Sequence, residues 1–256
     1  MAVPEPLRLR VQVTKEGPAR YLSHAEFSRA LMFAARRSGL PLEYAGKFRA
    51  RMKISLSPPI PIGVSSDCEL VDFQLNGYVS SADAQQVLNG ALQDGLEVAR
   101  CRLMGAEERP VGKLIDTASY LVSIPEGAGS GADWERAVAE FMAGDVVDFE
   151  RVQPRRTRVI NLRPGVHALA VKDNEGSGPA GPVMLAMELD DGTRGTIKPW
   201  EVVEVLAGTA GVPCEQWRLA RVHRNGLFAR RGDRLVSPME LGKRKPAVTR
   251  SGGRQF

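Results

Sequence analysis

Three groups of side chains in this sequence have the types and spacing to do chemistry. Residues 47–53 read KFRARMK. In an extended strand this alternation sets Lys47, Arg49, Arg51 and Lys53 on one face, about 6.6–6.8 Å apart. Phe48, Ala50 and Met52 then take the other face. QPRRTR (153–158) repeats the theme, with Arg156 and Arg158 two apart and Arg155 adjacent. Rows of this kind suit phosphate binding, because each Lys or Arg that neutralises a phosphate releases a counterion. The same rows also suit an edge strand whose cations prevent edge-to-edge pairing. The third group is His24, one residue past a predicted helix cap and near Arg20. There an imidazole is exposed helix surface or meets an anion at the helix N-terminus.

Other chemistries lack their signatures. His24, His167 and His223 have no HxxxH or HExxH neighbours, and neither GxSxG nor a Walker A motif occurs. GAGSGAD (127–133) lacks the lysine and the glycine spacing of a phosphate loop and reads as a plain loop. The acids Glu107–Glu108, Asp145/Asp148 and Asp190–Asp191 fall in predicted turns and read as solvated surface. Cys68, Cys101 and Cys214 are scattered, which argues against a zinc knuckle, an iron–sulfur cluster or a disulfide framework, so no metal or other cofactor is expected. Scattered thiols fit a reducing cytoplasm. No leader-like apolar segment opens the sequence and no stretch approaches ~18 apolar residues, so a membrane partner is not expected. Lys and Arg total 35 against 30 Asp and Glu, a mild excess that matters because it is clustered. Aromatic residues are 6%, without a paired aromatic strand motif, which favours backbone or shape recognition of RNA over base stacking.

The elements that must position these groups follow from periodicity. LRLRVQV (7–13) alternates as a half-buried strand. Ser23 and Glu26 form a capping box for a helix over 23–38, with Phe27, Ala30, Leu31 and Ala34 as its apolar stripe and Gly39 and Pro41 at its end. KFRARMK and ISLS are expected as strand, SPPIPIGVSSD as a stiff loop, ELVDFQL as strand, SADAQQVLNGAL as a helix opened by Ser80 or Ser81, and LEVARCRLM as strand. The order is β-α-β-β-α-β. After 110 it starts again with SYLVSI, a helix WERAVAEFMA capped by Asp133, several strands, a helix with Pro199 at its first position, and WRLARV. The expected fold is therefore α+β, with two tandem ferredoxin-like modules (1–110 and 111–236), each an antiparallel sheet with its own core. The second has extra strands, and a basic mobile tail (237–256) follows.

Residues 20–75 resemble the opening of the radical SAM-linked protein family, a domain of unknown function numbered 2344. The resemblance rests on YLSH (21–24), RAL (29–31), RRSGLPLEY (36–44), Ser55, PIPIGV (59–64) and Glu69, with INLRPGV (160–166) and TIKPWEV (196–202) as later landmarks. Family members carry a Pro-His-Pro element where this chain has GKFRARMK, with Arg51 at the histidine position. The exchange replaces a titratable group by fixed positive charge, which favours anion binding over proton transfer. The resemblance implies an accessory protein working beside a radical SAM enzyme. The chain has no CxxxCxxC and is not that enzyme itself.

Together these readings point to a non-catalytic accessory protein. It would bind RNA or a ribonucleoprotein through Lys47, Arg49, Arg51, Lys53, Arg155, Arg156 and Arg158 and cooperate with a radical SAM partner. Two alternatives stand beside it. One is an RNA-processing endoribonuclease using His24 as general acid or base. The other is a protein-interaction module docking through PPIPIG.

Overall fold

The capping box forms as written. In this computed structural model, which describes residues 7–46, 48–105, 107–153, 156–172, 182–192 and 195–241, Ser23 Oγ accepts from the Glu26 N–H at 3.3 Å. The Glu26 carboxylate accepts from the Ser23 N–H at 2.8 Å and from its hydroxyl at 2.7 Å. Helix α1 (His24–Arg37) follows strand β1 (Leu7–Lys15), buries Phe27, Leu31, Ala34 and Ala35, and ends before Gly39 at φ 72°. A small hairpin comes next, β2 (Tyr44–Ala45) with β3 (Arg51–Met52), then β4 (Ile54–Leu56) and β5 (Ser65–Leu75). Helix α2 (Ser81–Asn89), capped by Ser80, and β6 (Leu96–Gly105) complete the first half.

The second half holds β7 (Thr117–Ile124), α3 (Gly131–Ala143), a hairpin of β8 (Asp148–Gln153) and β9 (Arg156–Asn161), and β10 (Val166–Lys172). It continues through β11 (Val183–Gly192), β12 (Gly195–Thr196), α4 (Pro199–Ala210), α5 (Cys214–Trp217), β13 (Arg221–Arg231) and β14 (Arg234–Val236). Helix α3 begins three residues earlier than the sequence predicts. Ser130 is its cap, and Asp133 is the third residue of a second capping box, accepting from the Ser130 hydroxyl at 2.6 Å.

The protein is mixed α+β with a mostly antiparallel sheet, and here the expectation of two separate sheets fails. Among the described residues one ten-stranded sheet runs through both halves in the order β10-β11-β7-β13-β5-β1-β6. The join is a short parallel pairing of β13 with β5, His223 opposite Ser65 and Arg224 opposite Ser66. Strand β4 pairs the far end of β5, from Ile54 to Leu56 against Phe73 to Val71. Strand β5 spans Ser65–Leu75, long enough to serve β4 at one end and β13 at the other, and this lets the halves fuse.

Phe27, Leu31, Val71 and Phe73 are buried in one cluster, and Trp134, Val138, Phe141 and Val203 in another. The second cluster also takes Ile60, Val64, Cys68 and Leu70, so the cores do not divide at residue 110. The first residues of the expected mobile tail are packed. Met239 is 1% exposed, the Pro238 carbonyl accepts from Arg10 at 2.8 Å, and the Met239 and Leu241 carbonyls accept from Arg102. Residues beyond 241 lie outside the described residues.

Candidate functional site

The KFRARMK segment forms a hairpin tip rather than a strand. Only Arg51 and Met52 pair, opposite Ala45 and Tyr44. Gly46 turns the chain at φ 117°, and a Cβ there would sit 2.7 Å from the Arg49 carbonyl oxygen, so the tip folds back where a side chain has no room. Met52 points inward, but Phe48 is 97% exposed, because a two-residue ladder offers no core for it to enter. Lys53 is tied to Glu43 at 2.5 Å and leaves the cationic row. Arg49 and Arg51 are exposed, and neither has an acidic partner among the described residues. Lys47 lies outside the described residues.

QPRRTR behaves more as expected. Arg156 and Arg158 sit on β9, which pairs with β8 over six residues in a hairpin. Cross-strand partners share a face, so Phe149 and Ile160, Arg151 and Arg158, and Gln153 and Arg156 all lie on one side. At the root Phe149 and Ile160 pack on the core. Above them Arg151 donates to Glu201 at 2.7 and 2.6 Å and to the Thr196 carbonyl at 3.0 Å. Arg156 and Arg158 extend this face outward, exposed and without an acidic partner among the described residues. Arg155 lies outside the described residues. His24 is exposed on the first turn of α1.

The join between the halves holds groups that the sequence could not bring together. Arg224 of β13 is fully buried; its Nε and Nη2 donate to Glu69 of β5 at 2.5–3.0 Å, and its Nη1 donates to Asp191 of β11 at 3.0 Å. Burial opposes the guanidinium charge, but Glu69 and Asp191 hold it protonated. Burial pushes the Asp191 carboxyl up from the usual carboxylate value, with Arg224 pulling against it. The same burial pushes up the Tyr120 phenol, whose hydroxyl donates to Asp191 at 3.4 Å, and raises the Cys68 thiol to about 12. Asp191, expected as solvated surface, is 1% exposed because β11 carries it beside the buried Arg224 cation and the Tyr120 ring. Lys15 lies in the same seam, its pKa lowered by burial, and donates to the Leu22 carbonyl at 2.9 Å.

On the other side of the seam Ser65 Oγ lies 2.9 Å from His223 Nδ1, and Asp67 Oδ2 lies 2.9 Å from His223 Nε2. Ser65 and Asp67 alternate along β5, so these groups lie flat on the strand and clamp its register with β13.

These buried cations also fix the loops carrying the sequence landmarks. Arg224 Nη2 donates to the Pro58 carbonyl at 3.1 Å, and the Gly63 N–H donates to the Arg20 carbonyl at 2.9 Å. PIPIG is thereby held beside YLSH. Across from it stand Thr196–Trp200, and between them opens a cleft of 540 Å³ with Tyr120 and Asp191 in its lining. Glu69, Tyr120, Asp191 and Arg224 sit on four different strands, and apart from the landmark Glu69 no local pattern marks them.

No helix of the described residues is long and apolar enough to cross a membrane. No curated protein matches the chain. Among solved structures, the "Crystal Structure of a Cbf5-Nop10-Gar1 Complex" aligns at 13% identity and a TM-score of 0.45, covering 86% of this chain and 48% of that one. The "Crystal structure of the archaeal box H/ACA sRNP Nop10-Cbf5 complex" aligns at 12% identity and a TM-score of 0.40, covering 84% and 46%. The chain thus spans about half the length of these solved chains, and likenesses at this level carry no functional conclusion. A family profile matches residues 8–199, and the chain belongs to the family it describes, "Uncharacterized protein conserved in bacteria (DUF2344)".

Proposed function

We propose that this protein binds RNA by its phosphates through two basic hairpins and serves a radical SAM enzyme as a non-catalytic partner. One observation carries the RNA reading. Each half inserts a hairpin after its first helix, β2–β3 after α1 and β8–β9 after α3. Both hairpins present exposed arginines that lack acidic partners among the described residues: Arg49 and Arg51 on one, Arg156 and Arg158 on the other. Uncompensated like charges repel one another, and a polyanion relieves that cost.

The strand orders support reading the halves as two ferredoxin-like units sharing one sheet. In chain order the main strands of the first half fall as fourth-first-third-second (β6-β1-β5-β4), and those of the second do the same (β13-β7-β11-β10). On this reading the hairpins are equivalent insertions and would grip one RNA at two points. The radical SAM partner comes from the family resemblance rather than from geometry. The endoribonuclease alternative gains no support, since no hydrogen-bond partner orients the exposed His24 ring among the described residues.

Photocrosslinking of the full chain to RNA, with peptide mapping, tests the reading. Crosslinks are expected in 48–53 and 156–161. Crosslinks confined to α1 and α2, or none at all, would contradict it. Co-purification of the full chain with a radical SAM protein from the same cells tests the partner separately.

A further inference from the structure

The cleft between PIPIG and the start of α4 has a built floor that phosphate binding does not use. Its walls come from both halves of the chain: Pro59, Ile60 and Ile62 on one side, Ile197 and Trp200 on the other. Its floor is polar. Asp191 Oδ2 accepts from Arg224 at 3.0 Å and from Tyr120 at 3.4 Å, while Oδ1 meets Thr196 Oγ1 at 3.4 Å. An ionised carboxylate offers about four acceptor positions. Contacts at 3.4 Å fill two of these poorly. Acceptor capacity therefore remains on Asp191 beneath an apolar slot, and because the residue is 1% exposed a ligand reaches it only by parting the side chains that cover it.

The rim is cationic. Lys198 is exposed there, and Arg151 reaches the Thr196 carbonyl. That contact places the arginine face of the β8–β9 hairpin, with Arg158 opposite Arg151, beside the same opening. Apolar walls with an aromatic ring, acceptors at the floor and cations at the rim match a planar heterocycle that bears N–H donors and an attached phosphate.

We propose that the cleft takes one unstacked nucleobase of the bound RNA, and that guanine fits it best. Guanine carries two N–H donors side by side on its Watson–Crick edge, which a carboxylate accepts together. Trp200 supplies the stacking surface, and Lys198 with Arg158 faces the adjoining phosphate. The assignment rests on the RNA-binding reading and deepens it.

The test uses the full chain with GMP, IMP and UMP as probes, followed by Trp fluorescence and calorimetry. GMP is expected to bind saturably. IMP, which lacks the 2-amino group, should bind roughly 10- to 150-fold more weakly, the worth of one hydrogen bond to a charged group. Trp200→Leu should weaken GMP by roughly 5- to 150-fold, the worth of one base–aromatic stack. An RNA oligomer with one guanine should bind more tightly than the same oligomer made abasic at that position.

Equal binding of the guanine and abasic oligomers, with no mononucleotide binding, overturns the proposal even if salt-steep RNA binding by the hairpins survives. Saturable binding of a proline-rich apolar peptide in place of any nucleotide overturns it in favour of protein docking. GMP binding that persists while the hairpin arginines prove irrelevant to RNA supports the cleft and removes the hairpins. The ligand comparison needs no substitution at Asp191, so it does not depend on a variant that fails to fold.

Discussion

At the scale of single residues, Arg224 holds the join together. It is the cation for two buried carboxylates that come from different parts of the sheet. Removing one partner of a buried ion pair strands the remaining charge, at a cost of about 3–5 kcal/mol. Arg224→Met is therefore expected to lower stability by about that amount in chemical denaturation. Its deficit should depend on pH. Burial already holds the Asp191 carboxyl above its ordinary 3.8, and losing Arg224 raises it further. A carboxyl raised in the folded state costs stability as pH climbs from the unfolded value through the folded one. The deficit should therefore narrow as pH falls toward 3.8 and widen toward neutrality. A deficit unchanged with pH would show that Asp191 is not the stranded charge.

At the scale of elements, the helices were the most legible features and the hairpins the least. Ser23, Glu26, Gly39 and the stripe of Phe27 and Leu31 specify α1 locally, and α1 forms where they place it. The Ser23 bonds hold the Glu26 carboxyl below its ordinary 4.5. Stability from this cap should be present above 4.5 and lost as pH falls through the lower folded value. Ser23→Ala is expected to cost about 0.5–2 kcal/mol near neutral pH. An acid titration in which wild type and variant differ equally at all pH values would argue against the box. The alternation of KFRARMK misled because charge alternation specifies a strand only when the other face has a core to enter. Phe48 has none, whereas Phe149 and Ile160 anchor the second hairpin. The Glu69–Arg224–Asp191 group was illegible for another reason. Its members meet only through strand pairing across 155 and 33 residues of sequence, and turn-like neighbours disguised Asp191 as surface.

At the scale of the whole molecule, two repeated element orders share one sheet, and that sheet couples them. The tryptophans (134, 200 and 217) all lie in the second half and report on it alone. Unfolding followed by tryptophan fluorescence should coincide with loss of hydrogen-exchange protection in β1 of the first half. Two separated transitions would mean that the short β13–β5 pairing and its ion cluster do not join the halves. The same continuity joins the two halves that carry the hairpins, and the proposed function has both hairpins act on one polyanion. The most direct test is the salt dependence of RNA affinity in the wild type and two double variants, Arg49→Gln with Arg51→Gln and Arg156→Gln with Arg158→Gln. Each phosphate contact contributes about 0.7 to 0.9 to the slope of log affinity against log salt. Each pair of substitutions should therefore flatten that slope by roughly 1.4–1.8, with folding unchanged. Slopes equal to wild type in both variants would contradict the account and leave the arginines as edge protection.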